Sequence, residues 1–248
     1  MFEIGEGTAE LDLPPGFTLV TLREHGDAMA HATRIAAARG AGTLVWVRRY
    51  DFAEFAVVLE PEEALVTARR ALYAGVNAVA DALAIHCPPE KPIAFDWPDT
   101  IRVDGGLIGG GTLAWPAEGA EDRPPEWLVF GAVVRLVAIT RLEAGEWRIG
   151  TALESEGFEA PDAGALVASF ARHLMVQFDT WRDRGFTPIG ERFLARLMPD
   201  LAHRRGIDAN GDLLIHRIGE ARAADRRALA TSIAVPSWRD PATAEPRL

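Results

Sequence analysis

"FDWPDTIRVDGGLIGGGTLAW", residues 95–115, begins with a Trp-Pro-acid turn and carries glycines at 105, 106, 109, 110 and 111. Gly109-Gly110-Gly111-Thr112-Leu113-Ala114 satisfies the letter pattern of a dinucleotide-binding turn, G-x-G-x-x-G/A. That turn works only when a helix follows, because the helix N-terminus receives the pyrophosphate. Here strand-forming residues and then Trp115–Pro116 follow, so the stretch reads as strand and argues against a doubly wound parallel sheet. A phosphate loop would need a lysine after its last glycine, and the stretch contains none. Glycines along a strand leave backbone uncovered, so a small molecule can lie close to it.

Outward from this stretch, strands are expected at about 92–97, 100–104 and 107–115. "TLVWVRR" and "EFAVVLEP" read as a hairpin around Tyr50, and "WLVFGAVVRLVAIT" as a long strand, followed by a turn at Ala144–Gly145. "GDAMAHATRIAAARG" places Met29, Ala32, Ile35 and Ala36 on one helical face, closed by Gly40. Leu65, Leu72, Val76, Val79 and Leu83 recur at three-to-four spacing and predict one helix over 62–86, with Pro61 near its first turn. Leu166, Phe170, Leu174, Phe178 and Trp181 do the same for 163–184, with Asp162 as its cap. Asn210–Gly211 suits a two-residue hairpin turn in a C-terminal β unit. Because the strands are grouped rather than alternating with helices, the fold class is α+β, a mixed or antiparallel sheet backed by helices. A main domain over 1–200 and a small C-terminal one over 201–248 are expected.

The 248 residues carry a formal charge of −10, which argues against a nucleic-acid partner. No charge-free apolar run is long enough to span a membrane. The acidic "MFEIGEGTAELDLPPGF" start does not read as a signal peptide, and the single cysteine, Cys87, fits a reducing cytosol. No metal site is expected, since the six histidines are scattered and thiolate ligands are lacking. Cys87 ends an apolar helix face and reads as a packing residue. Lys91 is the only lysine.

Several segments in order resemble the catalytic domain of biotin and lipoate protein ligases. "FDWPDTIRVDGGLIGG" (95–110) is similar to K-W-P-N-D-[LI], a short hairpin and K-[LI]-x-G-[IL]; "WLVFGAVV" (127–134) to the strand bearing G-[IL]-G-x-N; "GTALESEGF" (150–158) to A-T-S-L-x-E-x-G. "FDTWRDRGF" and "GIDANGDLLI" fall where the family's long helix ends and its C-terminal hairpin lies. The resemblance implies activation of a small carboxylic acid, biotin or lipoate, by ATP with Mg²⁺ to an acyl-adenylate. It also implies an acceptor protein domain whose lysine receives the acyl group. On this basis Arg48, Arg49, Tyr50, Trp97, Asp99, Gly106, Gly109, Gly110 and Gly131 are the expected ligand-binding residues, lining one groove.

The chain departs from the family pattern where charge matters. The family's catalytic lysine falls on Gly106, Asp96 stands where a lysine often precedes the tryptophan, and Asp99 and Thr100 replace asparagine and aspartate. The loop that covers the adenylate shrinks to "VRRYDFAEF" (47–55), leaving Arg48 and Arg49 as the nearby cations. Two functions follow as expectations: a divergent ligase-like protein binding a carboxylic acid or its adenylate, or a non-catalytic binding or regulatory module on the same fold.

Overall fold

The computed structural model describes residues 11–138, 150–219, 223–243 and 245–247. Seven strands form one sheet in the order β1-β2-β3-β7-β6-β5-β4, from β1 (Thr18–Leu22), β2 (Thr43–Arg48), β3 (Phe52–Leu59), β4 (Ile93–Asp96), β5 (Thr100–Val103), β6 (Gly106–Ala114) and β7 (Leu128–Arg135). β1 runs parallel to β2, and every other pair is antiparallel. The sheet is therefore mixed, as the grouping of strands predicted.

Strand alternation divides the apolar residues between two layers. Val45, Val47, Ala56, Val58 and Val129 meet Ala28, Ala32 and Ala36 of α1 (Ala28–Arg39) on one face. Leu44, Trp46, Phe55, Val57, Phe130 and Val134 belong to the larger core on the other face. That core includes α3 (Ala71–Ala84), α4 (Ala163–Arg184) and α5 (Thr187–Arg196). Asp27 and Asp162 cap α1 and α4 by accepting from the Ala30 and Ala165 N–H groups.

The single helix expected over 62–86 is two: α2 (Leu65–Ala68) and α3, with Pro61 in the preceding loop. Between them the backbone bonds to residues three back, Arg70 N to Thr67 O and Leu72 N to Arg69 O. Arg69 is clamped by both carboxylate oxygens of Glu121 and lies over Trp115; Arg70 lies over Trp181 and Phe186 and binds Glu63. Anchoring two adjacent arginines to separate loops accounts for the break. The turn foreseen at Ala144–Gly145 lies outside the described residues.

β8 (His203–Ile207), β9 (Leu213–Arg217) and β10 (Asp225–Arg227) form a second, antiparallel sheet, followed by α6 (Leu229–Ser232). The β8–β9 connection is longer than the two-residue turn expected. Asp208 N donates to Asp212 O and Gly211 N to Asp208 O. Gly211 has φ +89° while Asn210 does not have a positive φ. The Asp208 carboxylate takes the Asn210 and Asp212 N–H groups, which favours this wider loop. Leu213, Leu229 and Ile233 join the main core.

Candidate functional site

The glycines of β6 lie between β5 and β7, with Gly110 opposite Val133 and Thr112 opposite Gly131. A side chain on Gly131 would press on the Met29 sulfur, so Gly131 faces α1. On the same face the Glu54 carboxylate accepts from Ala28 N, at the start of α1, at 2.9 Å. Burial raises the pKa of Glu54, an effect only partly offset by that N–H. Gly109, φ +152°, leaves no room for a β-carbon against the Val133 carbonyl. Gly131, Glu54 and, through its pairing with Val133, Gly110 line the candidate groove on the α1 face, whereas Gly109 pairs with Val134 on the face of the larger core.

The structure does not bring all the expected residues to that groove. Arg48 ends β2 paired with Ala53, on the side of Leu44 and Trp46, and its side chain is exposed. Trp97 joins the larger core on the opposite face, where its Nε1 donates to Tyr73 Oη at 2.8 Å. Gly106 faces the Thr151 side chain, not Arg48 or Arg49. Thr151 Oγ1 donates to Glu156, which with Asp104 holds Lys91 Nζ at 3.0 and 2.6 Å. The only lysine thus closes a structural ion-pair cluster.

Arg49 does face the groove. It makes ion pairs with Asp51 (3.0 Å), Glu54 (3.7 Å) and Glu245 (2.8 Å) and lies over the Phe52 ring. Burial opposes its charge, but the bonds to Asp51 and Glu245 outweigh that and raise its pKa. Tyr50, well exposed, borders a cavity of about 360 Å³ with Glu24, His25, Gly26, Arg49, Asp51 and Glu245. A larger cavity of about 430 Å³ lies beside Phe178 and Trp181 and contains none of the expected residues.

Sequence reasoning missed the residues that cover the groove. The Trp238 ring is buried over Gly110 and donates from Nε1 to Gly111 O at 3.1 Å. Ser237 Oγ lies 3.0 Å from Thr100 Oγ1 and also bonds Asp99, and Arg135 Nη2 donates to Pro246 O at 2.8 Å. Asp99, buried beneath this segment, has its pKa pushed up to about 7, chiefly by burial. A lone tryptophan in a polar, proline-containing tail was the available signal. Cys87 is half-buried, its thiol pKa is raised by burial, and its Sγ lies 3.2 Å from Lys91 O. Among the described residues no group of three or more His, Cys, Asp or Glu is placed to hold a metal ion, and no helix is long and apolar enough to cross a membrane.

Comparison with known proteins agrees with the order of elements. The chain is 27% identical over 215 residues to a biotin–[acetyl-CoA-carboxylase] ligase of Paracoccus denitrificans, covering 86% of this chain and 75% of that protein. A biotin protein ligase-like protein of unknown function from Silicibacter sp. TM1040 superposes with a TM-score of 0.77 at 24% identity, covering 90% of this chain and 98% of that one. Biotin protein ligase from Aquifex aeolicus superposes at 0.65 and 13% identity, over 85% and 95% of the two chains; that enzyme has also been solved with biotin and ATP. The model of the biotin/lipoate A/B protein ligase family matches residues 13–195. With three-quarters of its length matched and the mixed seven-stranded sheet in place, the chain belongs to the biotin/lipoate A/B protein ligase family.

Proposed function

We propose that the protein binds a small carboxylic acid, or the acyl-adenylate of one, in the groove on the α1 face, with weak or absent adenylation of biotin and lipoate. The placement of cations carries this reading. Forming an adenylate brings a carboxylate oxygen onto the α-phosphorus of ATP and expels pyrophosphate, so negative charge builds between two anions. Here Gly106 faces Thr151, Lys91 is held by Asp104 and Glu156, and Arg49 is shared among three carboxylates. The same carboxylates disfavour an ATP·Mg triphosphate beside Arg49. Losing one transition-state donor typically costs about 10²–10³ in rate. Binding is less demanding: it needs no transition-state cation, a guanidinium forks onto a carboxylate or phosphate, and glycine without a side chain lets a ligand approach the backbone.

Family membership favours a second reading, a ligase that still adenylates its acid and passes it to an acceptor lysine. Acid-dependent exchange of labelled pyrophosphate into ATP separates the two. With biotin or lipoate the exchange should stay at background, while calorimetry shows saturable binding of biotin or biotinyl-5′-AMP that Arg49→Ala weakens at least tenfold. Strong exchange with biotin, untouched by Arg49→Ala, would overturn the binding-protein reading.

A further inference from the structure

The floor and cations of the groove are engaged by one segment of the chain itself, 236–247. Trp238 rests on Gly110, Glu245 pairs with Arg49 and the Pro246 carbonyl accepts from Arg135. These contacts join positions 111 to 196 residues apart in sequence, so they are tertiary docking and not local turn formation. The segment also has internal order: Arg247 N donates to Trp238 O, Asp240 N to Glu245 O, and the Asp240 carboxylate takes the Ala242 and Thr243 N–H groups. It presents a planar bicyclic ring to the glycine floor and a carboxylate to the guanidinium. Those are the two features expected of a ring-bearing carboxylic acid.

We infer that the C-terminal segment is a tethered occupant of the ligand groove, which competes with the acid or adenylate and must leave before either can bind. The inference rests on the binding reading above and adds regulation to it. A tether holds its end at an effective concentration on the order of millimolar, so even weak intrinsic docking suppresses a free ligand present at micromolar levels. The exposed Val235 precedes the docked residues and provides a place where the connection can be opened.

The test uses the full chain with a protease recognition sequence inserted between Val235 and Pro236, cut only after folding, and Trp238→Ala in the uncut chain as a second variant. Circular dichroism checks that each is folded. Biotin and biotinyl-5′-AMP are the calorimetric probes. The cut chain and Trp238→Ala should bind biotinyl-5′-AMP at least tenfold more tightly than the uncut parent. Added peptide 236–248 should compete with the probe on the cut chain. Equal affinity of parent, cut chain and Trp238→Ala overturns the competition while leaving the binding reading standing. If no form binds either probe, the binding reading itself fails and the competition falls with it.

Discussion

Asp99 retains its proton in the folded protein to about pH 7, because burial disfavours the carboxylate more than the Thr100 and Ser237 hydroxyls stabilise it. In the unfolded chain the same group titrates near its ordinary value of 3.8. The folded state therefore binds this proton more tightly, and its stabilising contribution is complete below about pH 4. It is lost progressively as pH rises from there through about 7. Asp99→Asn should remove this component, since a permanently neutral amide still offers Thr100 an oxygen. Urea midpoints at pH 4.5 and pH 7.5 check it: the parent should lose more stability over that interval than the variant, and equal losses would show that Asp99 ionises normally. The sequence marked residue 99 as a departure from the family pattern. Its protonation state follows from how deeply the folded chain buries it, with the bond from Ser237, 138 residues away, acting in the opposite direction, and was not legible.

At the scale of elements, three helices are tied by one carboxylate. Asp81 on α3 accepts from Gln177 of α4 at 2.8 Å and from Arg196 and Arg192 of α5 at 2.7 and 3.5 Å. Gln177 is fully buried, so Asp81→Ala leaves an amide without its acceptor and Arg196 without its anion. The expected cost is about 2 kcal/mol, read as a lower urea midpoint, with Asp81→Asn intermediate. A midpoint unchanged by Asp81→Ala would show the cluster to be energetically idle. The stripes of α3 and α4 were readable because their apolar residues repeat over several turns. α5 was missed because it has only ten residues, with Pro188 in its first turn and Ile189 and Phe193 as its buried residues. What holds it is aromatic packing across the fold, Phe193 against Tyr73 and Phe95 with centroids 4.6 and 4.9 Å apart.

Across the whole molecule, the C-terminal sheet is tied to the main sheet by shared core and by Tyr73. Its hydroxyl donates to Gly211 O at 2.5 Å and accepts from Trp97 Nε1, while Leu213, Leu229 and Ile233 belong to the core formed by α3 and α4. Unfolding should therefore be one cooperative transition, with far-ultraviolet dichroism and tryptophan fluorescence coincident. Tyr73→Phe should lower the stability of the whole chain by about 1–3 kcal/mol, since it leaves a buried carbonyl and an indole N–H without their partner. Two separated transitions would show instead that the segment after residue 200 melts alone.

The sequence by itself determined the α+β class, the family, the apolar stripes of α3 and α4 and the strand carrying the glycines. Those properties reside in local periodicity, in the β residues and Trp115–Pro116 that follow the glycines, and in the order of motifs along the chain. Tertiary structure alone decided which face each groove residue meets. Strand alternation and pairing turned Arg48 and Trp97 away from Gly131 and brought Arg49 toward it. It also decided that Trp238 and Glu245, more than a hundred residues from the glycines and from Arg49, lie on them. Contacts at that separation leave no periodic trace in sequence, because they depend on which glycines and arginines the folded sheet brings within reach of the tail.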